Sequence, residues 1–132
     1  MIIRFALVSL MAIAAVLAAC DDDGPSAPLT SGIEGQVLIG PQCPVEVEGT
    51  PCPDAPFAAD VEVWDAERTG RVTTVTSDKE DGRFRVELPP GDYWLEPLAQ
   101  KDGVPPAAEG QQVTVPQGGF AEVTISYDSG IR

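Results

Sequence analysis

The stretch that decides the fold is Arg83-Phe84-Arg85-Val86-Glu87-Leu88-Pro89-Pro90-Gly91-Asp92-Tyr93-Trp94-Leu95-Glu96. Phe84, Val86 and Leu88 alternate with Arg83, Arg85 and Glu87. Past the Pro-Pro-Gly break, Tyr93 and Leu95 alternate with Asp92, Trp94 and Glu96. A period of two is the mark of a strand with one buried and one solvated face. Two prolines cannot continue a central strand, and Gly91 supplies the backbone freedom for the corner that follows. Just upstream, Asp81-Gly82 offers the positive-φ turn of a hairpin joining this strand to the β-branched run Val72–Ser77. Tyr93 is expected to bury its ring in the core and donate its hydroxyl to nearby backbone.

The same period recurs on both sides of this stretch. Ile33, Gly35, Val37 and Ile39 alternate with Glu34, Gln36 and Leu38, and Val61 and Val63 alternate with Glu62 and Trp64. Val113 and Val115 flank Thr114, while Val123, Ile125 and Tyr127 alternate with Glu122, Thr124 and Ser126. That makes seven half-buried segments, and no window carries apolar residues at helical spacing for three turns. Gly and Pro, 13 of each in 132 residues, punctuate the intervals. The expected fold is all-β: a seven-stranded antiparallel Greek-key β-sandwich.

The order of these features resembles the carboxypeptidase regulatory-like domain, a transthyretin-type (prealbumin-like) sandwich. The likeness runs from Gly32-Ile33-Glu34-Gly35-Gln36-Val37 through Ala59-Asp60-Val61-Glu62-Val63 and Asp81-Gly82-Arg83-Phe84-Arg85-Val86 to Leu88-Pro89-Pro90-Gly91-Asp92-Tyr93-Trp94-Leu95. It covers roughly residues 32–127. The resemblance implies a non-catalytic accessory or interaction module of the kind attached to enzymes, receptors and surface proteins. Two departures lengthen connections, one around Cys43–Cys52 and one from Gln100 to Gly110. If the chain has a specific binding surface, these two insertions are where it is expected, because loops on a rigid sandwich vary without cost to the core.

Composition narrows the function. Eight Lys and Arg against 21 Asp and Glu give a net charge of −13, a field that repels phosphate backbones and anionic headgroups, so no nucleic-acid partner is expected. The chain has no His and no Asn, which removes Ser-His-Asp and Cys-His catalysis and every zinc site that needs imidazole. No catalytic residue, metal or cofactor is expected.

Residues 1–19 read as an export signal: Arg4 precedes an apolar run from Phe5 to Leu17, the length of a signal h-region and short for a membrane span. The run ends in Leu17-Ala18-Ala19-Cys20, followed by Asp21-Asp22-Asp23. This is similar to the lipobox of bacterial lipoproteins: an aliphatic residue, two small residues and Cys. The resemblance implies diacylglycerol attached at Cys20, cleavage before it, and acylation of the new amino group by a chain such as palmitate. Cys20 is then the membrane partner, on the outer face of a bacterial membrane. Asp21 resembles the inner-membrane retention signal of enteric bacteria, a rule that does not transfer to all bacteria, so which membrane is left open. Residues 20–31 form the lipidated Cys and a flexible tether with an r.m.s. reach of about 15–20 Å, and residues 32–132 form the sandwich domain.

Parity then leaves Cys43 and Cys52 in an oxidising compartment, flanking a Pro-rich loop. They are expected to form a structural disulfide, since a spacing of nine and the acidic neighbours Glu46, Glu48 and Asp54 are unlike a redox pair.

Three further groups of side chains could carry chemistry. Asp60, Glu62 and Asp65, or Glu87 and Asp92, are the carboxylates available for hydrolysis, but all fall on outward strand faces or turns. Asp78-Lys79-Glu80-Asp81-Gly82 is acidic but lacks the calcium-loop spacing and reads as a turn. Trp64 and Trp94 fall opposite the core positions, where they are either covered by one of the long insertions or open for stacking on sugar rings. The expected function is a lipid-anchored envelope module that binds a protein partner or supports the envelope, the alternative being a carbohydrate-binding module using Trp64 and Trp94. Replacing Cys20→Ser should abolish fatty-acid labelling and release the chain from the membrane fraction. A Cys20→Ser product that is cleaved and membrane-bound like its parent contradicts the anchor.

Overall fold

The computed structural model describes residues 29–100 and 104–132. The expected signal peptide, Cys20 and the tether up to residue 28 lie outside the described residues. The alternating segments fold as β1 (Gly32–Gly40), β3 (Asp60–Asp65), β4 (Arg71–Thr76), β5 (Arg83–Glu87), β6 (Gly91–Pro97), β7 (Gln111–Val115) and β8 (Phe120–Asp128). An eighth strand, β2 (Ala55–Pro56), lies inside the first insertion and carries too few residues for a period to show. The strands form two four-stranded sheets, one ordered β4-β3-β6-β7 and the other built around β1, which pairs with β2, β5 and β8. The fold is all-β, as the alternation predicts.

Each sheet turns its apolar face inward. Ile33 and Val37 of β1, Phe84 of β5, and Ile125 and Tyr127 of β8 meet Val61 and Val63 of β3, Leu95 of β6, and Val113 and Val115 of β7. These are the positions the period-two reading assigns to the core. Burying an aliphatic side chain of this size contributes about 1.5–3 kcal/mol, so two sheets that are individually one-sided stabilise each other.

Three expectations need correction. First, the sandwich is not wholly antiparallel: β8 runs parallel to β1 over the whole of Gly32–Gly40, with Ile33 beside Ala121 and Val37 beside Ile125. Alternation is the same read in either direction, so it carries no information on strand polarity. Second, Asp81-Gly82 does not close a hairpin. β4 and β5 belong to different sheets, and Ser77–Gly82 is the corner between them. Buried Ser77 ends β4 by accepting the Ala59 N–H (2.9 Å) and donating to the Phe57 carbonyl (2.7 Å). Gly82, at φ 71°, packs so close to the Val37 carbonyl that a Cβ would overlap it. Third, Tyr93 is only half-buried, although its hydroxyl does donate to the Pro89 carbonyl at 2.7 Å. The fully buried tyrosine is Tyr127, packed on Phe57 with 4.9 Å between ring centroids and donating to the Leu98 carbonyl at 2.8 Å.

Where the chain enters the domain, Ser31 is already part of it. Its hydroxyl donates to the Leu88 carbonyl (2.7 Å), and the Leu88 N–H returns a bond to the Ser31 carbonyl (3.0 Å).

Burial, helped by the nearby Asp60 carboxylate, pushes the Tyr127 phenol up to about 12. An unfolded tyrosine titrates near about 10, so below that pH the neutral form is shared by both states. Above it the unfolded state loses its proton first, and stability falls as pH rises from about 10 through about 12. Denaturant midpoints measured across that range should drop, and Tyr127→Phe should flatten the drop while losing about 1 kcal/mol at neutral pH from the missing hydrogen bond.

Candidate functional site

β1 runs from Gly32, next to Ser31 at one end of the sandwich, to Gly40 at the other, a rise of about 26 Å for nine residues. The first insertion leaves β1 at the far end. The second leaves β6 after Pro97, which pairs with Val61 at the start of β3, so it too emerges at the far end. The end of β8 ties the two together. Asp128 pairs with Ala107 of the second insertion, and Ser129 donates its N–H to the Gly40 carbonyl (2.8 Å) and its hydroxyl to the Pro41 carbonyl (2.6 Å). Two insertions more than forty residues apart in sequence thus meet at the end opposite the chain's entry.

The first insertion is a rigid finger. Cys43 and Cys52 are disulfide-bonded, with 6.2 Å between their Cα atoms. Inside the ring Val47 pairs with Thr50 across a turn in which Gly49 holds φ 85°. The ring's base is stitched to β1 through β2 and through the Phe57 N–H to the Val37 carbonyl (3.0 Å). Its tip turns Val45 and Val47 outward, 72% and 64% exposed, the two most exposed large apolar residues described. Leu98, Val104 and Ile131 add three more at this end, so five of the seven exposed large apolar side chains collect there. A preordered loop carrying apolar side chains binds with less ordering entropy lost.

A second arrangement lies on the outer face of the β4-β3-β6-β7 sheet. Trp64 and Trp94 are direct cross-strand neighbours, and so are Glu62 and Glu96. The Trp64 indole donates to Glu62 (2.9 Å) and the Trp94 indole to Glu96 (2.7 Å), which points both N–H edges the same way, and both side chains are half-buried. Neither ring lies under the first insertion. Gly110, the last residue of the second, abuts Trp94 so closely that a Cβ would stand 2.6 Å from the ring. The second insertion thus covers Trp94 in part, and Arg68 in the β3–β4 turn lies over the ring as well, its guanidinium carbon 4.3 Å from the centroid. Glu62, Trp64, Arg68, Trp94 and Glu96 line an open depression of about 220 Å³. Arg68 escapes a sequence reading because only the β3–β6 pairing sets Trp94 beside the turn that carries it, whereas Glu96, two residues from Trp94, already shares its face by the alternation.

The turn that carries Arg68 is firmly built. The Asp65 carboxylate accepts the Thr69 hydroxyl and the Thr69 N–H, both at 2.7 Å, and these bonds hold its pKa below the usual carboxylate value. The other carboxylates weighed for hydrolysis are dispersed by the fold. Asp60 accepts the Thr76 hydroxyl, Asp92 accepts the Thr114 hydroxyl, Glu62 pairs with Arg71 at 3.0 Å, and Glu87 ends β5 on the other sheet. In the acidic turn, Asp78 spends its side chain on the Glu80 N–H (2.7 Å) and Asp81 on the Arg83 N–H (2.8 Å). Among the described residues no group of three or more acidic, Cys or His side chains is arranged to hold a metal ion.

No family model matches the chain, and no curated protein matches it. Solved structures do share the fold. The minor pilin GBS52 of the Gram-positive pathogen Streptococcus agalactiae superposes with a TM-score of 0.52 at 17% identity, over 77% of this chain and 46% of the pilin. The Bacillus anthracis TIE protein does so with a TM-score of 0.52 at 16% identity, over 77% of this chain and 17% of its own. The chain therefore spans less than half the length of either. The likeness is one of fold, a β-sandwich domain found in these two bacterial proteins, and no residue roles transfer through it.

The disulfide finger yields a prediction. Intact mass should be two hydrogens below the dithiol, and reduction should lower stability by roughly 2.5–3 kcal/mol in the chain-entropy account of a ten-residue ring. Because β2 and Phe57 hold the base of the loop, hydrogen exchange after reduction should rise within residues 42–54 and leave β1 and β8 protected.

Proposed function

We propose that this chain is a non-catalytic module of the bacterial cell envelope, anchored by lipid at Cys20 and presenting a protein-binding surface at its far end. The observation that carries the reading is the polarity of the domain. The chain enters at Ser31 beside Leu88, while both insertions and five exposed apolar side chains gather at the opposite end of β1. A tether attached at the entry end lifts that surface away from the headgroups. The acidic run Asp21-Asp22-Asp23 and the net charge of −13 favour standing off an anionic membrane. The shared fold with a pilin and with the TIE protein supports a surface role. The pairing of most available carboxylates with local donors supports a binding role over hydrolysis.

A photo-crosslinking residue at Val47 should capture a discrete envelope protein in intact cells, whereas the same residue at Arg85, in mid-strand on β5 and away from the insertions, should not. Val47→Asp should remove competition by untagged protein while leaving the thermal midpoint within about 1 °C, as expected for an exposed site. Equal capture from Arg85, or none from Val47, overturns the reading.

A further inference from the structure

The β3–β4 turn contains the only non-glycine residue with positive φ among those described, and it is Arg68, at 58°. A left-handed conformation disfavours a side chain, and glycine or asparagine is the usual occupant. Here the position instead carries a long cation and delivers it onto the face of Trp94. The turn is over-determined by Asp65, which binds the Thr69 N–H and hydroxyl through its carboxylate and the Gly70 carbonyl and Arg68 N–H through its own backbone. The Trp94 ring thus already carries a cation, the exposed Arg68 guanidinium.

The neighbours sharpen the chemistry. Glu96 stands directly across from Glu62, and like charges so placed on adjacent strands repel. Glu62 is relieved by Arg71 at 3.0 Å. Glu96 has no cation within ion-pair distance among the described residues and accepts only the Trp94 indole N–H. Both indole N–H groups are occupied by these glutamates, so neither tryptophan has a donor left for sugar hydroxyls. What remains is the aromatic surface of the two indoles, with Arg68 over Trp94, beside a carboxylate that has no ion-pair partner among the described residues, in a chain of net charge −13. A ring face with an adjacent carboxylate attracts a compact cation through the ring quadrupole and through charge.

We propose that Trp64, Trp94 and Glu96 form a binding site for an alkylammonium group, which Arg68 occupies in part when no ligand is present. The ligand's cation displaces the Arg68 guanidinium from Trp94 and takes its place on that ring, in the depression that Trp64 and Glu96 also line. Exchange of one cation for another leaves the sheet unchanged, and the site is separate from the surface at the far end.

Tryptophan emission of the folded protein, titrated with choline and with the tripeptide Gly-Lys-Gly, tests this. At least one of the two should give a saturable shift that weakens with added salt, and the tighter of them tells a free cation from a lysine side chain. The neutral isostere 3,3-dimethylbutan-1-ol should give none. Arg68→Gly relieves the left-handed backbone and should fold at least as stably as the parent. With the guanidinium gone, it should bind the cation at least threefold more tightly. Glu96→Gln should bind at least threefold more weakly, and Trp94→Leu should abolish the shift of the remaining Trp64. The proposal is overturned if neither cation saturates with the parent or with Arg68→Gly, or if the neutral isostere matches them. Weaker cation binding by Arg68→Gly also overturns it. So does a saturable shift with maltotriose that Arg68→Gly abolishes, because a neutral sugar would need the guanidinium as a donor.

Discussion

The structure depends on β1 being hydrogen-bonded along both edges. On one edge it pairs antiparallel with β5 and then β2, and on the other it pairs with β8 in parallel over nine residues. This joins the beginning, middle and end of the folded chain in one sheet. It also fixes which ends of the remaining strands lie together. Because β1 has neighbours on both sides, Ile33 and Val37 are wholly buried, and the facing sheet has a continuous apolar surface to cover. A parallel pair needs a crossover connection, and here everything from β2 to β7 serves as one.

That constraint gives the domain a direction. Since β8 runs with β1, its last residues finish beside the first insertion, and Asp128 and Ser129 clasp both insertions. An antiparallel β8 would end at Ser31 and leave the two loops without a common anchor. The disulfide is a local reinforcement of an arrangement that the β1–β8 pairing sets up. The apolar tip at Val45 and Val47 lies about a strand's length from the entry point for the same reason.

The other sheet shows how a flat surface acquires chemistry. The β3–β6 register places tryptophan beside tryptophan and glutamate beside glutamate, and the β3–β4 turn lowers an arginine onto the result. None of these side chains is buried in the core, so none contributes to the fold in the way that Val61 or Leu95 does. Gly110 matters to this surface for its lack of a side chain, which lets the backbone approach Trp94.

Legible in the sequence were the all-β class, the aliphatic residues of the core, the positive-φ positions at Gly82 and Gly91, the pairing of Cys43 with Cys52, and the placing of both tryptophans opposite the core. All of these follow from local rules: a period of two, the backbone needs of glycine and proline, and cysteine parity. The tertiary structure alone decided that β8 is parallel to β1, that Ser77–Gly82 is a corner between sheets, that Tyr127 rather than Tyr93 is the buried ring, and that the two insertions converge. It alone set Trp64 beside Trp94 and brought Arg68 onto the Trp94 ring. The physical reason is the same in each case. Alternation tells a strand which face to bury, but it is symmetric under reversal and silent about partners. Polarity and register are set by which long-range pairing lets both sheets close over one core.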